Sequence, residues 1–87
     1  MKIGVCGTME SNDCLVTVKE NDTLNNSIEI KSIVDDFFHD AILNCVESVL
    51  KEMVVKVVDI LVNDKGALDF TIKYRVRTAI ERMKENA

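Results

Sequence analysis

Proline is absent from this 87-residue chain and glycine occurs only three times, so no stretch has the composition of a flexible or proline-stiffened linker or of a low-complexity tail. No apolar run approaches the roughly 18 residues of a membrane span, and residues 1–6 are too short in apolar length for a signal peptide. A cytoplasmic protein that does not enter a membrane is therefore expected. The three cysteines, Cys6, Cys14 and Cys45, are odd in number and lack a C-x-x-C spacing, which indicates neither a disulfide framework nor a zinc site. They read as small core hydrophobes. Cys6 and Cys14 could face one another across a hairpin, where a reducing compartment disfavours a bridge. Histidine is scarcer still. His39 is the one candidate base for a Ser/His/Asp set, and its place in a helical pattern marks it as a surface residue. A glycine-rich phosphate loop and a cluster of metal ligands are both missing from the sequence.

What is present is the balance of a soluble globular domain. Apolar residues make up 47% of the chain and charged residues 30%, too apolar for intrinsic disorder. One domain over residues 1–87 is expected, of a size that buries over half of its unfolded surface. Eleven basic residues against fifteen acidic ones give a net charge of −4, and the basic residues are dispersed. A surface for nucleic acid or anionic lipid needs clustered Lys and Arg to displace counterions, so neither partner is expected.

Ile3, Val5 and Met9 alternate loosely, and Cys14, Val16 and Val18 alternate against Leu15, Thr17 and Lys19, the period of a half-buried hairpin. After a polar stretch from Glu20 to Asn26, Ile28 and Ile30 alternate with Glu29 and Lys31 as a third strand. Ser32 followed by Asp35 has the form of a capping box and predicts a helix start there. Asp35 and Asp36 then fall in the first turn, where carboxylates complement the helix dipole. Val34, Phe37, Phe38, Ala41, Ile42, Cys45, Val49 and Met53 share one helical face, opposite Asp36, Asp40, Asn44, Glu47 and Lys51. This stripe predicts that Phe38, Ile42, Cys45 and Val49 are buried.

Val54–Val62 is β-branched almost throughout and predicts a central strand with Val58, Ile60 and Val62 facing inward. Asn63-Asp64-Lys65-Gly66 ends it, with Gly66 free to take a positive φ in a tight turn. Residues 67–76 fit two patterns. Leu68, Phe70, Ile72, Tyr74 and Val76 alternate as a strand, while Leu68, Ile72, Val76, Ile80 and Met83 form a helical stripe. The stripe is longer and reaches the basic end Arg82–Lys84, which favours a helix from about Ala67 to Lys84. The expected fold is α+β in the order β-β-β-α-β-α, a small mixed sheet with two helices packed on it. The strand, helix and strand of residues 28–62 would make a right-handed crossover if the two strands are parallel neighbours.

Gly7-Thr8-Met9-Glu10-Ser11-Asn12-Asp13 forms the polar tip of the hairpin. Such residues are ordinary in turns, since their short side chains satisfy local backbone groups and Asn tolerates positive φ. Physical chemistry alone leaves Ser11 either a solvated turn residue or an exposed hydroxyl open to covalent attachment. Three separated regions, however, resemble the acyl carrier protein (gamma subunit) of citrate lyase. The first is this tip followed by Cys14, Val16 and Val18; the second is Ser32-Ile33-Val34 with Phe38, Asp40, Ala41 and Ile42. The third is Val62-Asn63-Asp64-Lys65-Gly66-Ala67-Leu68-Asp69, continuing to Arg75 and Arg82. Together they span most of the chain.

The resemblance implies that Ser11 bears a 2'-(5''-phosphoribosyl)-3'-dephospho-coenzyme A group through a phosphodiester, attached by a holo-carrier synthase. It implies two further partners, the citrate lyase alpha (transferase) and beta (lyase) subunits. The arm would hold an acetyl thioester, exchange acetyl for citryl with release of acetate, and regain acetyl as oxaloacetate is split off. The carrier would itself be non-catalytic, because the reactive thiol belongs to the cofactor. A four-helix-bundle carrier is not expected, and Glu10-Ser11-Asn12 departs from the Asp-Ser-Leu attachment motif of fatty-acid carriers. Asn12 also stands where this family commonly has Gly or Ser. The malonate decarboxylase carrier, which uses the same kind of group, is the nearest alternative, followed by an unmodified interaction module of the same fold. Glu10 and Asp13 flank Ser11 and are candidate docking carboxylates for basic rims on the partner subunits, with a solvated turn as the alternative for each. Arg75 either holds a carboxylate or contacts a partner.

Overall fold

The alternating segments of the sequence become strands β1 (Ile3–Gly7), β2 (Cys14–Glu20) and β3 (Ser27–Ser32); the apolar stripe that follows becomes helix α1 (Asp35–Glu52), before strand β4 (Val58–Asp64) and helix α2 (Asp69–Glu85). The computed structural model describes residues 2–33, 35–55 and 57–86, and of residues 35–37 it describes the backbone only. The four strands form one sheet in the order β1-β2-β4-β3. β2 pairs antiparallel with both β1 and β4, while β3 pairs parallel with β4. The sheet is therefore mixed, carries two helices and contains no four-helix bundle, as the sequence pattern predicts. The strands joined through α1 are the parallel neighbours that a crossover connection requires.

Register explains which side chains are inside. Val16 stands opposite Val62 and Val18 opposite Ile60, and on the other flank Ile28 meets Ile60 and Ile30 meets Val62. Because strand side chains alternate with period two, these pairs place one apolar face against the helices. Ile42, Cys45, Val46 and Val49 of α1 and Ile72, Val76, Ala79, Ile80 and Met83 of α2 complete a single buried cluster with it. α2 lies against β1 and β2, and α1 against α2 and β3. At Gly4 the approach is so close that a Cβ would run into the Ala79 carbonyl oxygen of α2, so the absent side chain is what lets α2 settle on the sheet.

Several expectations are corrected. In β1, Ile3 and Val5, which carry the loose alternation, are exposed, while Cys6 is buried as expected of a core cysteine, because Cys6 pairs with Val16 and shares its face. The strand expected from Val54 begins at Val58, and Val54 is 92% exposed. β2 offers partners only from Cys14 to Glu20, which match Asp64 to Val58; β-branched composition cannot extend a strand that has nothing to pair with. Ser32 ends β3 and its hydroxyl donates to Asp64 Oδ2 at 2.8 Å, while the expected capping box with Asp35 rests on side chains outside the described residues. Residues 67–76 resolve as helix from Asp69, as the longer stripe predicts.

Phe38 is the largest miss. Ile42, Cys45 and Val49 are buried as expected, yet Phe38, one turn earlier on the same stripe, is 53% exposed. It borders an open groove between the starts of the two helices and lies past the cover that α2 supplies. Val34 and the side chains of Asp35, Asp36 and Phe37 lie outside the described residues. The contrast yields a test in urea unfolding. Ile42→Ala is expected to cost about 2–5 kcal/mol, the range for a buried aliphatic truncation. Phe38→Ala is expected to cost less than about 1 kcal/mol. Equal losses would contradict the placement of α1.

Candidate functional site

Residues 8–13 connect β1 to β2, and they are shaped both by bonds within the turn and by bonds that reach into the rest of the fold. Within the turn, the Thr8 N–H donates to the Cys14 carbonyl at 3.2 Å and the Asp13 N–H to the Glu10 carbonyl at 3.2 Å. Asn12 takes φ 66°, the left-handed region that Asn tolerates better than most residues. Two further backbone bonds leave the turn. The Asn12 N–H donates to the Lys65 carbonyl at 2.8 Å, and the Lys65 N–H donates to the Asp13 carbonyl at 2.9 Å. The β2–β4 ladder thus continues past its last pair, Cys14 with Asp64, into the turn of residues 8–13.

The connection from β4 to α2 is built to receive it. Gly66 has φ +91°, a conformation in which a side chain is strained. Asp64, buried just before it, accepts from the Ala67 N–H at 2.9 Å through Oδ1 and from Ser32 through Oδ2. A carboxylate in that position is tolerable because both oxygens are engaged.

From the other side α2 reaches the turn through Arg75. Its Nε donates to Asp13 Oδ1 at 3.1 Å and its Nη2 to Asp13 Oδ2 at 3.0 Å, a two-pronged pair. The remaining nitrogen, Nη1, lies 3.6 Å from Cys6 Sγ. Thr8 Oγ1 donates to Asp13 Oδ2 at 2.7 Å and accepts from the Glu10 N–H at 3.2 Å. The Cys14 N–H closes on Asp13 Oδ1 at 2.7 Å. Burial opposes the charged form of Asp13, but the bonds from Arg75, Thr8 and the Cys14 N–H outweigh it and hold the carboxyl down at about 2. At Cys14 burial acts in the same sense and prevails: with the Asp13 and Asp64 carboxylates nearby, it pushes the thiol up to about 12. All three cysteines are buried and unbridged.

Ser11, Glu10 and Asp13 therefore differ in placement. Ser11 is exposed, and no partner of its hydroxyl is found among the described residues. Glu10 is exposed at its side. Asp13 is turned inward, its side chain 16% exposed against 31% for that of Arg75. Of the two roles open to Arg75, the structure gives it the holding of a carboxylate. His39 is exposed on α1, and among the described residues no cluster of three or more His, Cys, Asp or Glu could hold a metal ion. Sequence reasoning missed Thr8, Asp64 and the backbone of Lys65 as parts of the site. Asp64 falls in the third region of resemblance, two residues past the β-branched run that ends at Val62.

Relatives place the chain. The citrate lyase acyl carrier protein of Treponema denticola is 46% identical over 81 residues, covering 93% of this chain and 91% of that one. Its counterpart from Halothermothrix orenii is 43% identical over 83 residues, covering 93% and 85% respectively. The chain belongs to the citrate lyase acyl carrier protein family. Members of this family are carrier subunits, not catalysts. A family model described as malonate decarboxylase delta subunit (MdcD) matches residues 1–83, so the carrier family extends across both enzyme systems. The fold recurs in a chain of a Pseudomonas malonate decarboxylase hetero-tetramer crystallised with malonate, with a TM-score of 0.82 and 17% identity over 94% of this chain and 84% of that one.

Asp13 makes the acid limb of stability a test of the carrier's turn. Its carboxyl titrates at about 2 in the folded protein against an ordinary 3.8, so its contribution is present above 3.8 and is lost as pH falls toward 2. Asp13→Asn is expected to lower the urea midpoint at neutral pH and to make its decline between about pH 4 and pH 2 shallower than the parent's. Parallel acid limbs would contradict the pairing.

Proposed function

We propose that this protein is the acyl carrier subunit of citrate lyase and that Ser11 bears the 2'-(5''-phosphoribosyl)-3'-dephospho-coenzyme A group. The observation that carries the reading is the position of Ser11: an exposed hydroxyl, without a partner among the described residues, on a turn whose Asn12 N–H and Asp13 carboxylate are bound inward. Such a hydroxyl fits a phosphodiester, because esterifying it breaks no bond that the fold uses. When bound, the group supplies the terminal thiol on which acyl transfer depends. This chain's residues do the rest of the carrier's work. Ser11 anchors, Asp13, Arg75 and the Lys65 backbone fix the direction in which the anchor points, and Glu10 lends charge to the rim.

The partners in this reading are the transferase (alpha) and lyase (beta) subunits, with a holo-carrier synthase for attachment, and the setting is cytoplasmic. The chain performs no chemistry of its own, and the acetyl-for-citryl exchange and the cleavage to oxaloacetate belong to the large subunits. Exposed Glu10, in a chain of net charge −4, suits a basic receiving site and acts on encounter rate and orientation more than on affinity. Asp13 adds to docking chiefly by holding the turn. A malonate decarboxylase carrier is the second reading, favoured by the family model and by the shared fold. The identities of 46% and 43% to citrate lyase carriers weigh against it.

Intact mass and peptide mapping after expression beside the synthase and the cofactor-forming enzymes test the proposal. The parent is expected to gain the mass of the arm on the peptide containing Ser11, and Ser11→Ala to gain none while its stability stays within about 0.5 kcal/mol of the parent. Loaded protein is expected to restore citrate cleavage with the large citrate lyase subunits and no activity with malonate decarboxylase subunits. Arm mass on another residue, or the reverse pattern of activity, would overturn it.

A further inference from the structure

The groove that leaves Phe38 exposed opens beside the anchor. Its volume is about 710 Å³, within the roughly 300–1,000 Å³ of small-molecule sites. α1 contributes Phe38 to one wall, and Leu68 and Phe70 from the start of α2 form the other. These three side chains are 53%, 63% and 71% exposed, a concentration of apolar surface at one end of a small protein that calls for an occupant. The floor is the turn containing Gly66. A methyl group on Gly66 would come within 3.8 Å of Asn12 Oδ1, so the groove adjoins the residue that follows Ser11.

We propose that this groove is a purine site, and that it receives the adenine ring of the arm attached at Ser11. The inference rests on the reading of Ser11 as the attachment point. Three features select this occupant. The arm leaves the protein next to the mouth, so its adenosine end is delivered there without crossing the surface. That end carries the one flat, apolar-faced ring of the group, and exposed Phe side chains are the partners on which such a ring stacks. Lys73, the cation lining the groove, stands at the rim one helical turn from Asp69, where it can meet the phosphates that follow the adenosine. The other carboxylate lining the groove, Asp64, is already bound by Ser32 and the Ala67 N–H. Seating the adenine shortens the free part of the arm to its pantetheine end and gives that end a fixed origin above the anchoring turn.

Two measurements by NMR test the groove separately from the attachment. Dephospho-coenzyme A titrated into unloaded carrier is expected to shift amides of residues 38–42 and 66–73, with a dissociation constant on the order of millimolar, weak enough that tethering is needed for full occupancy. Carrier whose loading at Ser11 is verified by mass is expected to show the same shifts and contacts from the adenine H2 and H8 protons to the Phe38 or Phe70 rings. The double variant Phe38→Ala with Phe70→Ala is expected to bind dephospho-coenzyme A about tenfold more weakly. Unmoved groove amides in the titration, or loaded carrier with no adenine contact to the groove, would overturn the proposal. A carrier that binds dephospho-coenzyme A in the groove but never gains the arm's mass would uphold the purine site and overturn only the attachment reading.

Discussion

The two-pronged pair between Asp13 and Arg75 joins parts of the sequence 62 residues apart, and the geometry of the turn that holds Ser11 depends on it. A six-residue connection at the end of a hairpin is ordinarily the most mobile part of a small β structure. Here its Asn12–Asp13 end is tied both to the β4–α2 turn, by the Asn12–Lys65 and Lys65–Asp13 backbone bonds, and to α2, by Arg75 on the Asp13 carboxylate. Magnitudes support giving the pair this weight. Hydrogen bonds to charged groups contribute about 1.5–3 kcal/mol, and fully exposed ion pairs contribute less than about 1 kcal/mol. With side chains 31% and 16% exposed, this pair falls between the two, enough to order one turn.

With the arm attached at Ser11, as proposed, order at the anchor and freedom beyond it answer different needs. A carrier must offer one reactive end to more than one active site, which calls for reach, yet each docking event must start from a defined point. Flexibility at the protein end would add ordering costs to every encounter. α2 links these requirements to the core, since the helix that presents Arg75 also buries Val76, Ala79 and Ile80 against the sheet. Side chains that stabilise the fold and the side chain that holds the turn thus share one rigid element.

Much of this was legible in the sequence because it is written in local periods. The alternation of Cys14, Val16 and Val18 gave β2, the stripe from Leu68 to Met83 gave α2, and Asn12 and Gly66 signalled two of the three positive-φ positions among the described residues, the third being Gly7. Boundaries and partners were less accessible, since they depend on what faces each segment. Val54 is as β-branched as Val58, and only the length of β2 separates loop from strand. Phe38 matches the helical stripe as well as Ile42 does, and only the extent of α2 separates open groove from core. Asp13 and Arg75 could not be paired from spacing, because nothing short of the three-dimensional meeting of α2 with the hairpin brings them together.

Backbone amide relaxation of residues 8–13, recorded for the parent and for Arg75→Met, tests most directly whether the Asp13–Arg75 pair orders the turn that holds Ser11. In the parent these residues are expected to give order parameters near those of the strands, about 0.85, and in the variant to fall below about 0.6 while β2 and β4 stay unchanged. A turn already loose in the parent, or one equally ordered without Arg75, would contradict the account.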